Sequence, residues 1–157
     1  MKIRARFSII IPVIFVWVGF VCAISFMESW LKFNAPGITL SLGIGIGKLV
    51  FNALNKAELM FALITIACLA KTKHREINVL GRIFLVPFSI LLLQSFYLLP
   101  ELGARSNLQI EGKQLAPSYL HLFYIITEII KVICLILLGM FTLKYYKYDT
   151  GRINYWN

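Results

Sequence analysis

The chain has 157 residues, of which 59% are hydrophobic and 15% are charged, and its formal net charge is +9 at pH 7. Its mean hydropathy is +0.79, and its apolar content exceeds the roughly 45–50% of soluble domains, which excludes a soluble fold of this size. The cations lie at the ends of apolar runs and form no stripe with interleaved aromatics, which argues against nucleic-acid binding. We therefore predict a single-domain integral membrane protein that lies in the lipid bilayer.

Four apolar segments follow one another along the chain. The first is longer than the roughly 7–15 apolar residues of a signal peptide and is not followed by a small-residue cleavage site, so it predicts an uncleaved anchor helix. The second exceeds the roughly 20 residues that cross a membrane upright, so it either tilts or begins above the hydrocarbon layer. The predicted fold is an all-α, integral membrane four-helix bundle. Its spans are about 7–27, 42–70, 77–99 and 119–143.

Short polar connections separate these segments. Within residues 28–42, the pair Pro36-Gly37 predicts a turn. Pro100 is expected to end the third helix, because proline interrupts helical hydrogen bonding. Residues 101–118 are then expected to form the longest polar loop. These connections leave no room between the helices for a soluble catalytic domain.

The distribution of cations predicts the orientation in the membrane. Ten of the 16 lysines and arginines lie near the N-terminus, in the 71–82 region or in the C-terminal tail. Positively charged connections stay on the cytoplasmic side, so both termini are predicted to be cytoplasmic, in a bacterial-type inner (cytoplasmic) membrane that the chain crosses four times. The ten cations are Lys2, Arg4, Arg6, Lys71, Lys73, Arg75, Arg82, Lys144, Lys147 and Arg152.

A set of polar and charged residues is predicted to meet at one level of the bundle, near the outer membrane face. Counting about 1.5 Å of rise per helical residue places those of the second helix in the outer third, and those of the other helices reach the same level. Each charge would cost about 2.5–3.5 kcal/mol if it faced lipid, whereas charges that face one another are satisfied. The set is Glu28, Lys48, Asn52, Asn55, Lys56, Glu58, Gln94, His121, Tyr124, Glu128 and Lys131.

In the second and fourth helices these residues recur at helical spacing, which predicts one polar stripe on each helix. Glu128 and Lys131 are three residues apart and are predicted to pair along the fourth helix. The stripes are Lys48, Asn52, Asn55 and Lys56 in the second helix, and His121, Tyr124 and Glu128 in the fourth.

Two interpretations of this polar level remain open. In the first it is structural, with glutamates neutralising lysines and amides cross-linking the helices. In the second it lines an outward-opening cavity that binds a small ligand, an ion or a lipid headgroup. The charged residues that the first interpretation pairs are Glu28, Glu58 and Glu128 with Lys48, Lys56 and Lys131.

A metal centre built from His121, Glu28, Glu58 and Glu128 is a weaker interpretation, because four-helix carboxylate sites repeat the Glu-x-x-His motif and this chain does not. Two histidines at one depth, as haem ligation would need, are also missing. No arrangement of serine, histidine and aspartate indicates nucleophilic catalysis. The sequence therefore predicts no metal, no cofactor and no catalytic residue.

Several short motifs carry a resemblance to a known family. The first helix leads to the tetrapeptide Trp30–Phe33 and to Pro36, and the glycine-rich start of the second helix leads to Lys48–Phe51. Pro100 follows the third helix and His121 opens the fourth. In these features, which cover about half the chain, it resembles a family of small four-span membrane proteins of unknown biochemistry, whose animal members are linked to tolerance of platinum drugs. The asparagine that the family usually carries in its fourth helix is absent here, and the resemblance implies no activity.

The leading functional hypothesis is an interaction or structural subunit of a larger membrane complex or a homo-oligomer. Thr39, Gly43 and Gly47 repeat every four residues, and such a small-residue row allows another helix to approach closely. Gly43 and Gly47 are therefore the predicted contact with another membrane protein or a second copy, although the same row also suits packing within the chain. The alternative is a transporter or a ligand- or ion-binding protein that uses the outer polar pocket. An enzyme acting on a lipid or quinone has the least support.

Overall fold

The structure of the chain is a computed structural model that describes residues 2–70, 75–113 and 116–154. Nearly all of these residues are helical and no strand occurs among them, so the all-α prediction is confirmed. The helical elements follow one another with few interruptions. They are α1 (Lys2–Val21), a π-helical segment (Cys22–Glu28), two short helical turns (Ser29–Leu31 and Lys32–Asn34), α2 (Leu40–Ala70), α3 (Arg75–Leu93), a second π-helical segment (Gln94–Leu98), α4 (Leu99–Ile110) and α5 (Leu120–Asn154).

Four continuous helical stretches are long and apolar enough to cross a membrane. They contain 28 to 32 residues, against the roughly 20 that a span needs. The most apolar 18-residue window of each stretch has a mean hydropathy between 1.6 and 2.7, and the lowest value belongs to α2, which carries five of the eleven polar residues singled out above. The four stretches are Phe7–Asn34, Leu40–Ala70, Val79–Ile110 and Leu120–Lys147.

The helices pack as an antiparallel bundle in which α1 contacts both α2 and α5, and α5 also contacts α3. Gly139 of α5 permits the close approach of α1, because a Cβ atom there would lie 3.0 Å from the ring of Phe15. Trp17 fills the centre of the bundle with no exposed surface. Its ring centroid lies 6.2 Å from that of Phe61 in α2 and 6.4 Å from that of Phe84 in α3, within the range of favourable aromatic pairs.

The outside of the bundle is apolar as well as its inside. Leu49 and Leu63 of α2 are 71% and 66% exposed, and Phe96 after α3 is 79% exposed. Soluble monomers rarely expose continuous apolar patches larger than a few hundred Å². An apolar exterior of this kind suits a surface that faces lipid.

The turn predicted at Pro36-Gly37 is confirmed. Gly37 has a φ of 82°, in the left-handed region that residues with a Cβ atom rarely adopt. The Ile38 amide donates to the Ala35 carbonyl at 3.3 Å, and α2 begins shortly afterwards. We call the end of the bundle that carries this turn and the connection between α4 and α5 the distal end.

The third helix does not end at Pro100, which corrects the sequence prediction. Pro100 is the second residue of α4 and follows directly on the second π-helical segment, where the regular hydrogen bonding of the α-helix is already interrupted and a missing N–H is tolerated. Residues predicted as loop therefore form α4, which packs against the start of α2. Lys48 Nζ donates to Asn107 Oδ1 at 2.7 Å, and Ile110 lies beside Gly45. This packing makes α4 one wall of the site described next.

Candidate functional site

Lys131 of α5 lies at the centre of a buried polar network and has no exposed surface. Its ammonium group contacts three acceptors: Glu58 Oε1 at 2.6 Å, Gln94 Oε1 at 2.6 Å and Glu128 Oε1 at 3.1 Å. An ammonium group has three N–H donors, so the three acceptors satisfy it fully. Leaving this charge unpaired in the interior would cost several kcal/mol, which explains why polar groups from other helices converge on it.

Glu58 of α2 connects the network to α1. Its Oε1 atom also accepts a hydrogen bond from Trp17 Nε1 at 2.8 Å, and the residue is 1% exposed. Gln94, at the start of the second π-helical segment, supplies the contact from the third helical stretch. All four long helical stretches therefore meet in one network, which we define as Trp17, Glu58, Gln94, Thr127, Glu128 and Lys131.

Hydrogen bonds to the oxygen and to the nitrogen of the Gln94 amide fix its orientation. Its oxygen accepts from Lys131, while its Nε2 atom donates to Thr127 Oγ1 at 3.0 Å. The Thr127 hydroxyl in turn donates to the Tyr124 carbonyl at 2.8 Å. Because each of these groups is buried, exchanging the positions of the Gln94 oxygen and nitrogen would leave a donor facing a donor.

Two buried oxygen atoms beside the network stay without a hydrogen-bond partner among the described residues. They are Ser25 Oγ, in the first π-helical segment, and Glu128 Oε2. An unpaired buried polar group typically costs about 1–3 kcal/mol. Both residues line a small cavity of about 20 Å³ together with Tyr124, whose hydroxyl interacts with both side chains.

A much larger pocket of about 580 Å³ opens at the distal end, and we call it the distal pocket. Three cations line it, namely Lys32, Lys48 and Arg105, and no carboxylate does so among the described residues. Lys32 Nζ pairs with Glu28 Oε2 at 3.4 Å, whereas in the described part of the chain Lys48 and Arg105 donate to neutral oxygens of Asn107 and Ala116. The pocket therefore carries an excess of positive charge.

Gly43 and Gly47 form part of the pocket wall and pack against the same chain. A Cβ atom at Gly43 would collide with the ring of Phe33, and one at Gly47 would lie 2.7 Å from Lys32 Nζ. Both glycines are buried. The row of small residues therefore packs against the helical turn that precedes Gly37. Association with another helix through this row stays a prediction.

The eleven residues predicted from the sequence separate into groups. Glu58, Gln94, Glu128 and Lys131 meet in the buried network as expected. Lys48, Asn52, His121 and Tyr124 line the distal pocket, while Glu28 lies beside it through its pair with Lys32. Asn55 is close to the network and donates to Ser95 Oγ at 2.9 Å. Lys56 is exposed. Their role in ligand binding stays a prediction.

The single stripe predicted for the second helix is therefore wrong in part. Lys56 lies two residues before Glu58, and two helical residues differ in direction by about 200°, so burial of Glu58 turns Lys56 outward. Lys56 and Lys48 form no ion pair with a glutamate in the described part of the chain, and Glu28 pairs with Lys32 instead. Of the three predicted lysine partners, only Lys131 neutralises glutamates.

Sequence reasoning missed Trp17 and Thr127 in the network, Ser25 beside it, and Lys32 and Arg105 in the pocket. Trp17, Ser25 and Thr127 are single polar groups within apolar runs, whereas Lys32 and Arg105 lie in polar connections. Nothing in the spacing relates these positions to one another. Within the described residues, no group of three or more histidine, cysteine, aspartate or glutamate side chains is placed to hold a metal ion.

No family model, curated protein or solved structure matches the chain. Function must therefore be inferred from the distal pocket and the buried network.

Proposed function

We propose that this chain crosses an inner membrane four times, with both termini in the cytoplasm, and binds an anionic amphiphile in the distal pocket. The observation that carries the proposal is a pocket of about 580 Å³ lined by three cations and, among the described residues, by no carboxylate. Its volume lies within the range of roughly 300–1,000 Å³ that is typical of small-molecule sites.

The membrane topology is supported by two features. The four helical stretches are long and apolar enough to span a bilayer, and their exteriors carry large exposed hydrophobic side chains. Ten of the 16 cations lie in the terminal regions or around residues 71–82, which favours a cytoplasmic location for that end of the bundle. The distal pocket then opens at the outer face of the membrane.

The charge of the pocket favours an anionic group. Lys48 and Arg105 project from α2 and α4, so they approach one pocket from two helices. Neither forms an ion pair with a carboxylate in the described part of the chain, so a bound anion would gain charge-assisted hydrogen bonds from both. A guanidinium group also matches carboxylate or phosphate geometry through paired N–H donors.

The remaining lining favours an apolar body attached to that anionic group. Trp30, Phe33, Phe51, Leu99 and Leu102 contribute aromatic and aliphatic surface to the same pocket. Apolar walls with a few placed charges are typical of sites for amphiphilic ligands. An anionic lipid, or another amphiphile with a carboxylate or phosphate group, fits this distribution.

An interaction or structural subunit remains the second candidate. One observation favours it: Lys56 is exposed on the apolar surface of α2, where a carboxylate of a partner helix would neutralise it. A lysine in the outer part of a span also reaches the membrane surface along its own flexible side chain. The distal pocket is therefore the stronger basis for a function.

Native mass spectrometry of the purified full-length protein would test the proposal. The protein would be mixed with equal amounts of phosphatidylglycerol and phosphatidylcholine, and the retained lipids counted. We expect preferential retention of phosphatidylglycerol. Replacement of Lys48 and Arg105 by glutamine should reduce that preference about tenfold or more, since hydrogen bonds to charged groups contribute roughly 1.5–3 kcal/mol.

Lys113→Gln is the matched control, because Lys113 is an exposed cation between α4 and α5 that does not line the pocket and already pairs with Glu111 at 2.9 Å. It should leave lipid preference unchanged. Equal retention of both lipids by the unmodified protein, or equal losses in the control and the pocket variants, would contradict the proposal. Adding inorganic phosphate separates the two parts of the ligand: displacement of the lipid at low concentration would mean that the headgroup alone is recognised.

A further inference from the structure

We propose that the anionic group recognised by the distal pocket is a phosphate monoester on a lipid, as in phosphatidic acid, rather than a phosphate diester, as in phosphatidylglycerol. The inference rests on the proposed function, because it concerns the same pocket, and it adds the chemical class of the headgroup. It follows from which cations of the pocket lack an opposite charge and from the N–H donors that they leave free.

Lys32 is the cation of the pocket whose charge is already balanced. Its ammonium group pairs with Glu28 Oε2 at 3.4 Å, and its side chain is only 10% exposed. The same ammonium group lies 5.5 Å from the ring centroid of Phe33 and 5.7 Å from that of Phe51, within the range of cation–π attraction. A carboxylate and two aromatic rings therefore hold Lys32, which leaves little of its charge for a ligand.

Lys48 and Arg105 are the two cations whose charge stays available. Their described hydrogen bonds are to neutral oxygens, those of the Asn107 side chain and the Ala116 carbonyl. Since no carboxylate among the described residues lines the pocket, two positive charges in it lack a counter-charge. A ligand group with two negative charges compensates both, whereas a group with one negative charge leaves one cation uncompensated.

The two available cations lie at one turn of α4. Lys48 Nζ reaches Asn107 Oδ1 at 2.7 Å, and a Cβ atom at Gly103 would lie 3.7 Å from Lys48 Cε. Arg105 lies between Gly103 and Asn107 in the chain, so the Lys48 side chain runs along the turn from which Arg105 projects. Unscreened attraction extends over about 8 Å at physiological ionic strength, so one compact anion at this turn is attracted by both cations.

The free hydrogen-bond donors at this turn also match a phosphate monoester. An ammonium group has three N–H donors and a guanidinium group has five, and the described hydrogen bonds use one of each. The Ser118 oxygen accepts from the Leu120 amide at 3.2 Å, so its O–H is free to donate. A phosphate monoester has three terminal oxygens and a charge of about −1.5 to −2 at pH 7, whereas a diester has two terminal oxygens and one charge.

Native mass spectrometry of the full-length protein would test the inference with phosphatidic acid, phosphatidylglycerol and phosphatidylcholine of identical acyl chains in equal amounts. At pH 8 we expect phosphatidic acid to be retained about threefold or more over phosphatidylglycerol, the effect of one further charge pair at a partly exposed site. Lys48→Gln and Arg105→Gln each remove one available cation. In either variant the ratio of the two anionic lipids should fall towards one, while both stay preferred over phosphatidylcholine.

A variant that adds available charge tests the same count in the opposite direction. Glu28→Gln removes the carboxylate that pairs with Lys32, so a third cation becomes available in the pocket. The ratio of phosphatidic acid to phosphatidylglycerol should rise about twofold or more, which a loss of structure would not produce. Glu111→Gln is the matched control, because Glu111 is an exposed distal carboxylate that does not line the pocket, and it should leave the ratio unchanged.

The ratio should also follow the ionisation of the ligand. The second ionisation of a phosphate monoester has a pKa of about 6, so at pH 5 phosphatidic acid carries about one charge, as phosphatidylglycerol does. We expect a ratio near one at pH 5 that rises to its full value by pH 8. Protonation of His121 at low pH would add positive charge and favour both anionic lipids, so it does not imitate this fall. The titratable and charged groups around the ligand are Lys32 with Glu28 before Gly37, Lys48 of α2, Arg105 of α4, and His121 and Tyr124 of α5.

The outcomes separate this inference from the proposed function. Equal retention of phosphatidic acid and phosphatidylglycerol at pH 8, with both above phosphatidylcholine, would overturn the inference and leave the proposed function standing. Equal retention of all three lipids would contradict the proposed function as well. A ratio that does not change in Lys48→Gln and Arg105→Gln would also overturn the inference, because the preference would then arise outside this pocket. Displacement of phosphatidic acid by an equal concentration of glycerol 3-phosphate would overturn the assignment to a lipid and indicate a free phosphate monoester.

Discussion

Lys131 is the residue on which the four helical stretches converge. Its hydrogen-bond and ion-pair partners determine how its replacement would change the stability of the protein. Two buried carboxylates and one amide point at its ammonium group. Whether such a network stabilises a fold relative to an apolar core varies between proteins. Removal of one partner is different, because it leaves the opposite charges buried and uncompensated.

We therefore expect Lys131→Met to destabilise the protein by about 3–5 kcal/mol. Reversible unfolding in mixed detergent and sodium dodecyl sulfate micelles would measure the change in the free energy of unfolding. Lys56→Met is the control, since an exposed lysine should change stability by roughly 0.5 kcal/mol or less. Adding Glu58→Gln and Glu128→Gln to Lys131→Met should restore much of the loss, and failure to do so would mean that the charges are not its cause.

Part of the buried network was predictable from the amino-acid sequence. Charged and amide groups are rare in apolar helices and need partners, so Glu58, Gln94 and Lys131 were predictable from depth alone. Trp17 was not, because a tryptophan in an apolar run is indistinguishable from other core residues and its single N–H leaves no trace in the pattern. The direction of Lys56 was mispredicted because a stripe at this spacing covers a broad arc of the helix. The spacing does not show which edge of the arc faces the interior, and the buried edge is the one that carries Asn55 and Glu58.

Among the elements, the turn between α1 and α2 depends on the glycines it covers. Phe33 and Lys32 occupy space that a Cβ atom at Gly43 or Gly47 would need. This contact positions Lys32, so it also shapes the distal pocket.

We expect Gly43→Ala to lower the free energy of unfolding by about 1–3 kcal/mol, the usual cost of overpacking, and to weaken lipid retention. Phe33→Ala in the same chain should relieve most of the destabilisation. Gly19→Ala is the matched control, because open space surrounds that glycine and alanine favours a helix by up to about 1 kcal/mol. A change of oligomeric state in Gly43→Ala that Phe33→Ala does not reverse would instead support helix association through this row.

No pattern in the amino-acid sequence indicated the two π-helical segments. Each contains an extra residue per turn relative to an α-helix, so side chains beyond it point in directions that an α-helical count does not predict. One carries Ser25 and the other carries Gln94 and Ser95, so both lie at or beside the buried network. Functional sites are where π-bulges are often found. The extension past Pro100 was missed because proline usually ends a helix, and the π-helical segment that precedes Pro100 has no recognisable pattern in the sequence.

For the whole molecule, the orientation in the membrane is the property with the most direct test. In a background whose native cysteines are replaced by alanine, Lys113→Cys introduces a thiol at an exposed distal position. We expect a membrane-impermeant maleimide to label it in intact cells, because that end faces outward in the proposed topology. A cysteine added after Asn157 should react only after the membrane is permeabilised, and the opposite result would reverse the topology.

Composition and hydropathy were sufficient to predict the bundle, because four apolar segments of this length have few other arrangements. The distal pocket was predicted only in outline. Its three cations, Lys32, Lys48 and Arg105, come from a turn, from α2 and from α4. They become neighbours only after the chain has folded, so no periodicity in the sequence relates their positions.

The buried network also has a consequence for biosynthesis. In the proposed topology, the ribosome delivers α1 and α2 to the insertion machinery well before α5 exists. Glu58 then enters the lipid phase without its cation, and Trp17 is the one network partner already made. Glu128 and Lys131 arrive last and together, already paired at 3.1 Å within one helix. The newborn α2 must therefore be sheltered, by insertion factors or by delayed release, until the final helix brings its counter-charge.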